Sequence, residues 1–277
     1  MKSIAIIMTA HNRKNQTLSC LDSLHSQSKL TEGVKKLFFL VDDGSTDGTS
    51  EAVHCNFPDV SIIPGTGDLF WNRGMHLAFG EALKEDHDYY LWINDDTTLF
   101  PNALSELLNT SAIFQDKAII VGSTKDPVTG EWTYGGFRRL HPWRPLKFTR
   151  VLPGGEPVPI EAMNGNCVLI PRHAAGIVGN LDPIFSHGMG DFDYALRAQK
   201  MVVEVYLAPG YHGYCTRNSV SVGNTSFWQR LAMMISRKGL PPKDWAIFTK
   251  RYTGVLWPLY WISPYLRRIF HHNNIDA

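Results

Sequence analysis

Residues 89–97 read Tyr89-Tyr90-Leu91-Trp92-Ile93-Asn94-Asp95-Asp96-Thr97, a short apolar run that is followed closely by two adjacent carboxylates. Such a run is typical of a strand buried within a parallel sheet. Ligands of open α/β sheets bind just beyond the carboxyl ends of the strands, where Asp95 and Asp96 fall. Adjacent like charges favour a compensating cation, and Mg²⁺ and Mn²⁺ prefer carboxylate oxygens and substrate phosphates. The stretch therefore predicts a metal and phosphate site; the alternative is a solvated turn that caps a helix beginning near Pro101.

The rest of residues 1–110 repeats this arrangement. Apolar runs at 4–8, 37–41 and 60–63 predict buried strands, and helices are predicted at 15–27, through Val53 and at 74–84. This alternation with short connections predicts an α/β fold with a doubly wound, mostly parallel, Rossmann-like sheet. The second strand also ends in carboxylates, Asp42-Asp43. We therefore expect Asp43, Asp95 and Asp96 to form a cation- or ribose-binding edge.

Composition separates the end of the chain from its body. The 277 residues carry a formal net charge of +1, which gives no reason to expect a nucleic-acid partner. From Thr216 onward, however, there are nine Lys and Arg against two Asp and Glu, and four of the eight tryptophans. The sequence thus predicts a catalytic domain at 1–215 and a basic, aromatic, helical tail at 216–277.

The spacing of the cysteines and the length of the apolar runs indicate the cellular compartment of the protein. The four cysteines are widely spaced without a CxxC pair, so reduced thiols are expected. The sequence begins with a strand rather than a signal peptide, and no run reaches the roughly 20 apolar residues of a membrane span. These features predict a cytoplasmic protein.

Five motifs carry a resemblance to a known family. They are Ile-Met-Thr-Ala-His-Asn-Arg at 7–13, Val-Asp-Asp-Gly-Ser-Thr-Asp-Gly-Thr at 41–49, Asn-Asp-Asp at 94–96, Asn-Gly-Asn-Cys-Val-Leu-Ile-Pro-Arg at 164–172, and His-Gly-Met-Gly-Asp-Phe-Asp-Tyr-Ala-Leu-Arg-Ala at 187–198. In this order the set resembles family 2 glycosyltransferases of the GT-A fold, among them the rhamnosyltransferase-like enzymes of bacterial polysaccharide synthesis. Each motif alone is weak, whereas five in family order are specific.

The resemblance implies an activity. It implies an inverting transfer of a sugar from a nucleotide-diphosphate sugar, UDP- or dTDP-linked, to a hydroxyl of a glycan or lipid-linked acceptor, with Mn²⁺ or Mg²⁺ as cofactor. It also divides the catalytic domain into a nucleotide-binding half at 1–110 and an acceptor half at 111–215.

The same resemblance assigns residues to roles. Asp191 matches the general base, and Asp96 and His212 match metal ligands. The acceptor is expected at Asn164, Gly165 and Asp193. The nucleotide-sugar is expected at Thr9, His11, Arg13, Asp43, Asp68, Trp71, Asn72, Arg73 and Asp95.

Physical chemistry is consistent with these roles and leaves alternatives. A positioned base that deprotonates an incoming hydroxyl increases the reaction rate about 10²- to 10⁴-fold, and a metal stabilises a departing diphosphate. Asp191 alone would equally be a helix N-cap, and His212 a core or loop histidine. Gly190-Asp191 replaces the acidic pair usual in the family, so Asp193 is expected to compensate. Trp71 either stacks on the donor or belongs to the core.

The tail and one loop suggest further contacts. Residues 255–262, followed by Tyr265, Arg267 and Arg268, have the aromatic and cationic make-up of a segment at a membrane interface. We therefore expect peripheral membrane contact through 227–270; the alternatives are packing on the catalytic domain or on a second subunit in a homo-oligomer. The loop-rich stretch 123–160, with Arg138 and Arg144, is either an acceptor-side insertion or a solvated basic surface.

Two other functions compete with transfer. A sugar-1-phosphate nucleotidyltransferase would favour a Gly-rich loop after the first strand, and residues 9–13 contain no glycine. A non-catalytic nucleotide-sugar or glycan-binding module would keep its affinity without turnover when Asp191 is changed to Asn.

Overall fold

The computed structural model describes residues 2–27, 33–141, 143–217 and 227–270. The strands are β1 (Lys2–Ala10), β2 (Val34–Asp42), β3 (Val60–Pro64), β4 (Tyr89–Ile93), β5 (Thr98–Leu99), β6 (Ile119–Lys125), β7 (Trp132–Tyr134), β8 (Gly136–Arg139), β9 (Phe148–Val151), β10 (Val158–Pro159), β11 (Ala162–Met163), β12 (Cys167–Pro171) and β13 (Val205–Tyr214). The helices are α1 (Lys14–His25), α2 (Thr49–Asn56), α3 (Phe70–Ala82), α4 (Ala103–Ile113), α5 (Arg172–Val178), α6 (Gly190–Lys200), α7 (Phe227–Ile235), α8 (Pro242–Tyr252) and α9 (Trp257–Phe270).

The central sheet confirms the predicted fold class. Its strand order is β10-β13-β6-β12-β4-β1-β2-β3, and β3, β2, β1 and β4 are all parallel. Strand β12 is antiparallel to β4, with Cys167 opposite Ile93. The start of β12 therefore lies beside the end of β4, where the backbone N–H of Asn94 donates to the backbone carbonyl of Asn166 at 3.2 Å. This register places the 164–166 segment next to the carboxylates that follow β4.

The sheet is buried on both faces. Side chains alternate along β1, so that Ile6 packs with Leu21 of α1 on one face while Ile7 packs with Phe79 of α3 on the other. The continuous apolar runs in the sequence reflect this double burial.

The structure differs from the sequence-based expectation in two places. Helix α3 begins at Phe70 rather than at residue 74, because the Asp43 carboxylate accepts the backbone N–H groups of Leu69 and Phe70 at 2.9 and 3.0 Å. The cap therefore comes from a distant part of the chain. Within the stretch 123–160, which was predicted to be loop-rich, β8 and β9 pair with each other, and with β11 just beyond it they form a three-stranded antiparallel sheet. Strands of two to four residues carry too little alternation to be recognised.

Helix α8, which lies in the predicted tail, packs on the part of the chain before residue 216. Phe248 of α8 packs with Phe185 and Leu196 in a small buried cluster. The Asp244 carboxylate accepts from both the backbone N–H and the hydroxyl of Ser186, each at 2.9 Å. The helical tail was predicted, whereas this docking was only one of the open alternatives.

Within the described residues, no helix is long and apolar enough to cross a membrane. The predicted contact of Arg268 falls on a side chain outside the described part of the structure.

Candidate active site

A cavity of about 460 Å³ opens where the parallel strands end. Residues predicted for the site that line it are Thr9, His11, Arg13, Asp43, Trp71, Asp95, Asp96, Asn164, Gly165 and Asp191. The ends of β1, β2 and β4 supply most of this set, α3 supplies Trp71, and the segment before β12 and the start of α6 supply the rest. Two stretches far apart in the sequence, residues 9–96 and residues 164–191, therefore share one cavity.

An arginine compensates the aspartate pair after β4. The Arg13 guanidinium donates to Asp95 Oδ1 at 3.2 Å and to Asp96 Oδ2 at 2.5 Å. The Cys215 thiol donates to the other oxygen of Asp96 at 3.4 Å. Burial raises the pKa of Asp95 to about 7, although Arg13 opposes that shift. Asp95 and Asp96 thus have the cationic partner that their like charges favour. That partner is an arginine of the protein, Arg13.

Asp43 organises the wall of the cavity that precedes α3. Besides capping α3, its carboxylate accepts the Gly67 N–H at 2.8 Å. The side chain of His11 contacts the Asp43 backbone oxygen at 2.5 Å through Nδ1. Because three backbone N–H groups already use the carboxylate, Asp43 shapes the nucleotide-side wall in addition to lining it.

Trp71 forms the floor between the two halves of the cavity. Its indole N–H donates to Asn94 Oδ1 at 2.7 Å. A Cβ at Gly165 would overlap the Trp71 ring, so the acceptor-side backbone lies directly against the indole. The alternative of a wholly core tryptophan is therefore incomplete, since Trp71 is partly buried and lines the cavity.

Asp191 stands at the start of α6 without a cationic partner among the described residues. Its carboxylate accepts the Gly165 N–H at 3.2 Å and the Phe192 N–H at 2.9 Å. Burial raises the pKa of Asp191 to about 6, and the backbone N–H groups oppose the shift. A carboxylate with this pKa is mostly ionised at neutral pH and is also a stronger base than an exposed aspartate.

Three residues predicted to bind the donor lie outside the cavity lining. The Asn72 amide donates to the carbonyls of Asp182 and Phe185, both at 2.8 Å, and so holds the loop before α6. Arg73 donates to the Pro183 carbonyl at 3.0 Å. Asp68 is an exposed side chain that pairs with Arg237 of the tail. Each is held by a protein partner.

Two other predicted residues also lie away from the cavity. Asp193, in the first turn of α6, is fully buried, and its carboxylate accepts from Arg197, Arg251 and Tyr252 at 2.8, 2.8 and 2.7 Å. Both of its oxygens are therefore used by side chains of the protein. His212 is fully buried in β13, and burial lowers its pKa to about 4. The geometry gives Asp193 a structural role and leaves His212 outside the cavity lining.

The structure adds residues that sequence reasoning missed. Tyr134, Asn166, His187 and Lys238 also line the cavity. Burial lowers the pKa of His187 to about 4, so its ring is neutral at pH 7. His187 Nδ1 is a buried nitrogen with no hydrogen-bond partner in the described structure. His187 was quoted within a motif, whereas Lys238 lies in the tail and had no local signal at all.

The carboxylate oxygens at this edge of the sheet fit a hard divalent cation. Carboxylate oxygens suit Mg²⁺ and Mn²⁺, which take further ligands from substrate phosphates and water. Asp96 lines the cavity and presents such oxygens. Over the described ranges, no group of three or more His, Cys, Asp or Glu side chains is arranged to hold a metal. A cation bound here would thus rely on ligand oxygens from a phosphorylated substrate.

The sequence matches the model of a known family. The family described as "Glycosyl transferase family 2" matches residues 5–173. Two curated proteins of Mycobacterium tuberculosis strains, both named N-acetylglucosaminyl-diphospho-decaprenol L-rhamnosyltransferase, are 24% identical over 186 residues. That alignment covers 58% of this chain and 60% of each relative, so the chain matches less than two thirds of their length.

Solved structures share the fold at low identity. GalNAc-T7 with UDP, GalNAc and Mn²⁺ matches with a TM-score of 0.61 and 14% identity, covering 96% of this chain and 55% of that one. S. aureus TarS 1–349 in complex with UDP matches with a TM-score of 0.55 and 12% identity, covering 98% of this chain and 72% of that one. These likenesses extend over the tail as well as the catalytic domain.

Proposed function

Because the chain belongs to glycosyltransferase family 2, we propose that it is an inverting, metal-dependent transferase that moves a sugar from a UDP- or dTDP-sugar to a hydroxyl of a lipid-linked glycan. The observation that carries this proposal is the shared cavity. A half-buried carboxylate with a raised pKa, Asp191, opens into the same space as the Arg13, Asp95 and Asp96 cluster. A base and a polyanion-binding edge are what the reaction requires.

The nucleotide half of the cavity would hold the donor. Thr9, His11 and the Asp43-organised wall would contact the base, and Asp95 would accept from the ribose hydroxyls. Asp95 suits this role because it lines the cavity and Arg13 bonds only one of its oxygens. Support for a uridine nucleotide comes from the structural neighbours, two of which are complexes with UDP.

Two cations of the chain would contact the diphosphate. Arg13 and Lys238 both line the cavity, and both lie close enough to His187 to lower its pKa. A diphosphate that leaves in the reaction gains negative charge, so fixed cations beside it stabilise the transition state. Lys238 is proposed here as a donor-binding residue that the tail supplies.

Asp191 would take the proton of the acceptor hydroxyl. Its hydrogen bonds come from the backbone N–H groups of Gly165 and Phe192 and from the Asn164 side chain, uncharged donors that orient the carboxylate without neutralising it. In an inverting reaction the base acts on the incoming hydroxyl in a single displacement, so one such carboxylate suffices. Asn164 and Gly165, which lie beside Asp191, would contact the acceptor.

Asp96 is proposed as the protein ligand of Mn²⁺ or Mg²⁺. When bound, the cation would supply Lewis-acid stabilisation of the departing diphosphate. Arg13 would then exchange part of its contact with Asp96 for contact with the phosphates. The structure of GalNAc-T7, which contains Mn²⁺ together with UDP, supports this choice of metal.

The acceptor is proposed from the curated relatives and from the surface of the tail. The relatives' name includes a saccharide linked through a diphosphate to decaprenol. On this chain, Val255, Leu256 and Leu259 are exposed apolar side chains around the start of α9. Such side chains suit peripheral contact with the membrane that would contain a lipid-linked acceptor.

A thermal-shift panel tests the donor site. UDP-, dTDP- and GDP-sugars would each be added with and without Mn²⁺ to the protein and to Asp96→Ala. A ligand at a hundred times its dissociation constant stabilises the native state by about 2.7 kcal/mol, so a shift is expected with UDP- or dTDP-sugar, and Asp96→Ala should lose its metal dependence. No shift with any donor would favour a module without a donor site.

A further inference from the structure

A second concave site lies between the β8–β9 hairpin and α9. This groove, which we call the α9 groove, has a volume of about 600 Å³. Its lining residues from the hairpin are Arg144, Leu146 and Lys147, and those from the tail are Trp245, Leu259, Tyr260, Ser263, Pro264 and Arg267. The Tyr260 hydroxyl bonds the Trp143 carbonyl at 3.5 Å at one end, so hairpin and tail contact each other.

The charge of the α9 groove is uncompensated. Arg144, Lys147 and Arg267 line it, and its lining contains no carboxylate. Within the described residues none of these three side chains forms a salt bridge, whereas the neighbouring Arg139 is paired with Glu161 at 3.4 Å. Three unpaired cations around one concave surface favour an anion with more than one charge.

The floor of the α9 groove is apolar. Leu146, Leu259 and Pro264 contribute aliphatic surface, and the rings of Trp245 and Tyr260 contribute aromatic surface. The Trp245 indole nitrogen is a buried donor that has no acceptor in the described structure. A ligand for this groove therefore combines an anionic group with an apolar chain.

A continuous wall joins the α9 groove to the proposed base. Leu146 and Lys147 line the groove, and the next residue, Phe148, packs its ring against Phe192 at 5.4 Å. Phe192 directly follows Asp191 in α6. Leu146, Phe192 and Trp245 all pack against the small core that includes Phe185. A molecule held in the groove therefore lies on the acceptor side of Asp191.

We propose that the α9 groove binds the lipid diphosphate of the acceptor, with its phosphates at Arg144, Lys147 and Arg267 and the first part of its chain on the Trp245 and Leu259 surface. This inference rests on the proposed function for the identity of the ligand, but its chemistry comes from the groove. A concave, cation-lined groove with an apolar floor fits a single amphiphile. A bilayer surface would instead contact protruding side chains such as Val255.

Titration calorimetry with farnesyl diphosphate, below its micellar concentration, tests the proposal. The full-length protein would be titrated in saturating UDP and Mn²⁺, so that the donor cavity is occupied. The groove variant is Arg144→Glu, Lys147→Glu, Arg267→Glu, and the matched control is Lys35→Glu, Lys84→Glu, Lys117→Glu, three exposed lysines elsewhere. The groove variant should bind at least about tenfold more weakly than the wild type, whereas the control should bind as the wild type does.

Further ligands test recognition of the anionic group and of the apolar chain separately. Farnesol and inorganic diphosphate should each bind more weakly than farnesyl diphosphate, because each carries only half of the recognised chemistry. Equal binding of farnesyl diphosphate by the wild type and the groove variant would overturn the proposal. Binding of phosphatidylglycerol vesicles without binding of farnesyl diphosphate would also overturn it, in favour of a bilayer contact.

Measurements on the same samples distinguish a failure of the groove proposal from a failure of the proposed function. A groove variant that still binds UDP- or dTDP-sugar shows that the donor cavity is intact. If the wild type transfers sugar to a lipid-linked acceptor but binds no farnesyl diphosphate, the groove proposal alone fails. If farnesyl diphosphate binds in the groove but no sugar is ever transferred, the proposed function alone fails.

Discussion

Two aspartates in the first turn of α6 have opposite surroundings. Asp193 is fully buried, and two arginines and a tyrosine satisfy its carboxylate. Asp191, two residues earlier, accepts from backbone N–H groups and from the Asn164 side chain, forms no ion pair among the described residues, and opens into the cavity. Burial without a cation raises the pKa of Asp191 to about 6. The comparison shows that a carboxylate whose charge is compensated within the protein stabilises the fold, whereas one left uncompensated at a cavity is available for chemistry.

The Asp193 cluster also joins the tail to the catalytic domain. Arg251 of α8 bonds Asp193 at 2.8 Å and Asp182 at 2.5 Å, and Arg197 of α6 bonds the carbonyls of Val178 and Asn180, both at 2.9 Å. The tail thereby holds Lys238 near the cavity. A tail of basic and aromatic composition therefore contributes both to the fold and to the proposed donor site.

The largest effect expected is on turnover in Asp191→Asn. Loss of the base should lower kcat by about 10² to 10⁴, which corresponds to about 2.7 to 5.4 kcal/mol of activation free energy. Steady-state transfer assays check this. The circular dichroism spectrum should be unchanged, because Asn keeps the size of the side chain and one of its two acceptor oxygens. A variant with wild-type kcat would remove Asp191 from the role of base.

The complementary change, Asp193→Ala, should lower the free energy of unfolding. It leaves Arg197 and Arg251 without their buried partner, and breaking a buried ion pair costs about 3 to 5 kcal/mol. Urea unfolding followed by fluorescence measures the loss. Asp22→Ala, an exposed helical aspartate on α1, is the control and should change the free energy of unfolding little. If Asp193→Ala and Asp22→Ala unfolded at the same urea concentration, the structural role of the cluster would be wrong.

Lys238→Ala should weaken donor binding. A hydrogen bond to a charged group contributes about 1.5 to 3 kcal/mol, so the dissociation constant for the nucleotide-sugar should rise about tenfold to a hundredfold. Lys243→Ala, an exposed lysine of α8 outside the cavity lining, is the matched control. Calorimetric titration of both variants checks the difference. Equal affinities would exclude Lys238 from the donor site.

The pH dependence should reveal the uncompensated carboxylate. Since the pKa of Asp191 is raised from 3.8 to about 6, kcat should fall as the pH drops through about 6. In the native state its ionised form is disfavoured, so its contribution to stability decreases as the pH rises from about 4 through 6. Asp191→Asn should therefore melt higher than the wild type above pH 6 and equally near pH 4. Parallel melting curves with pH test the sign of this effect.

The smallest effect expected is in Trp71→Phe. It removes one hydrogen bond to Asn94 but keeps an aromatic ring against Gly165, so a loss of about 1 kcal/mol is expected. The change should appear in the apparent affinity for substrates more than in kcat. A thousandfold loss of kcat would instead make Trp71 part of the chemical step.

The sequence predicted the parallel half of the fold because its strands are continuous apolar runs. It also predicted the cavity residues that directly follow strands, such as Asp95 and Asp96, because the carboxyl ends of parallel strands meet at one edge. Asp191 was predicted through the resemblance. In contrast, Asp193 and His212 are residue types that commonly bind ligands, and only the tertiary structure shows that both are fully buried and lie outside the cavity lining. Lys238 could not be found, because its place depends on how the tail docks.

Product formation is the most direct test of the central claim that this cavity transfers a sugar with Asp191 as base. The wild type and Asp191→Asn would be incubated with UDP- or dTDP-sugar, Mn²⁺ and a saccharide-diphospho-lipid, and the acceptor analysed by mass spectrometry. The account predicts an acceptor heavier by one sugar with the wild type only, while calorimetry shows that both proteins bind the donor equally. Equal product from both proteins, or no product from a wild type that binds the donor, would contradict it.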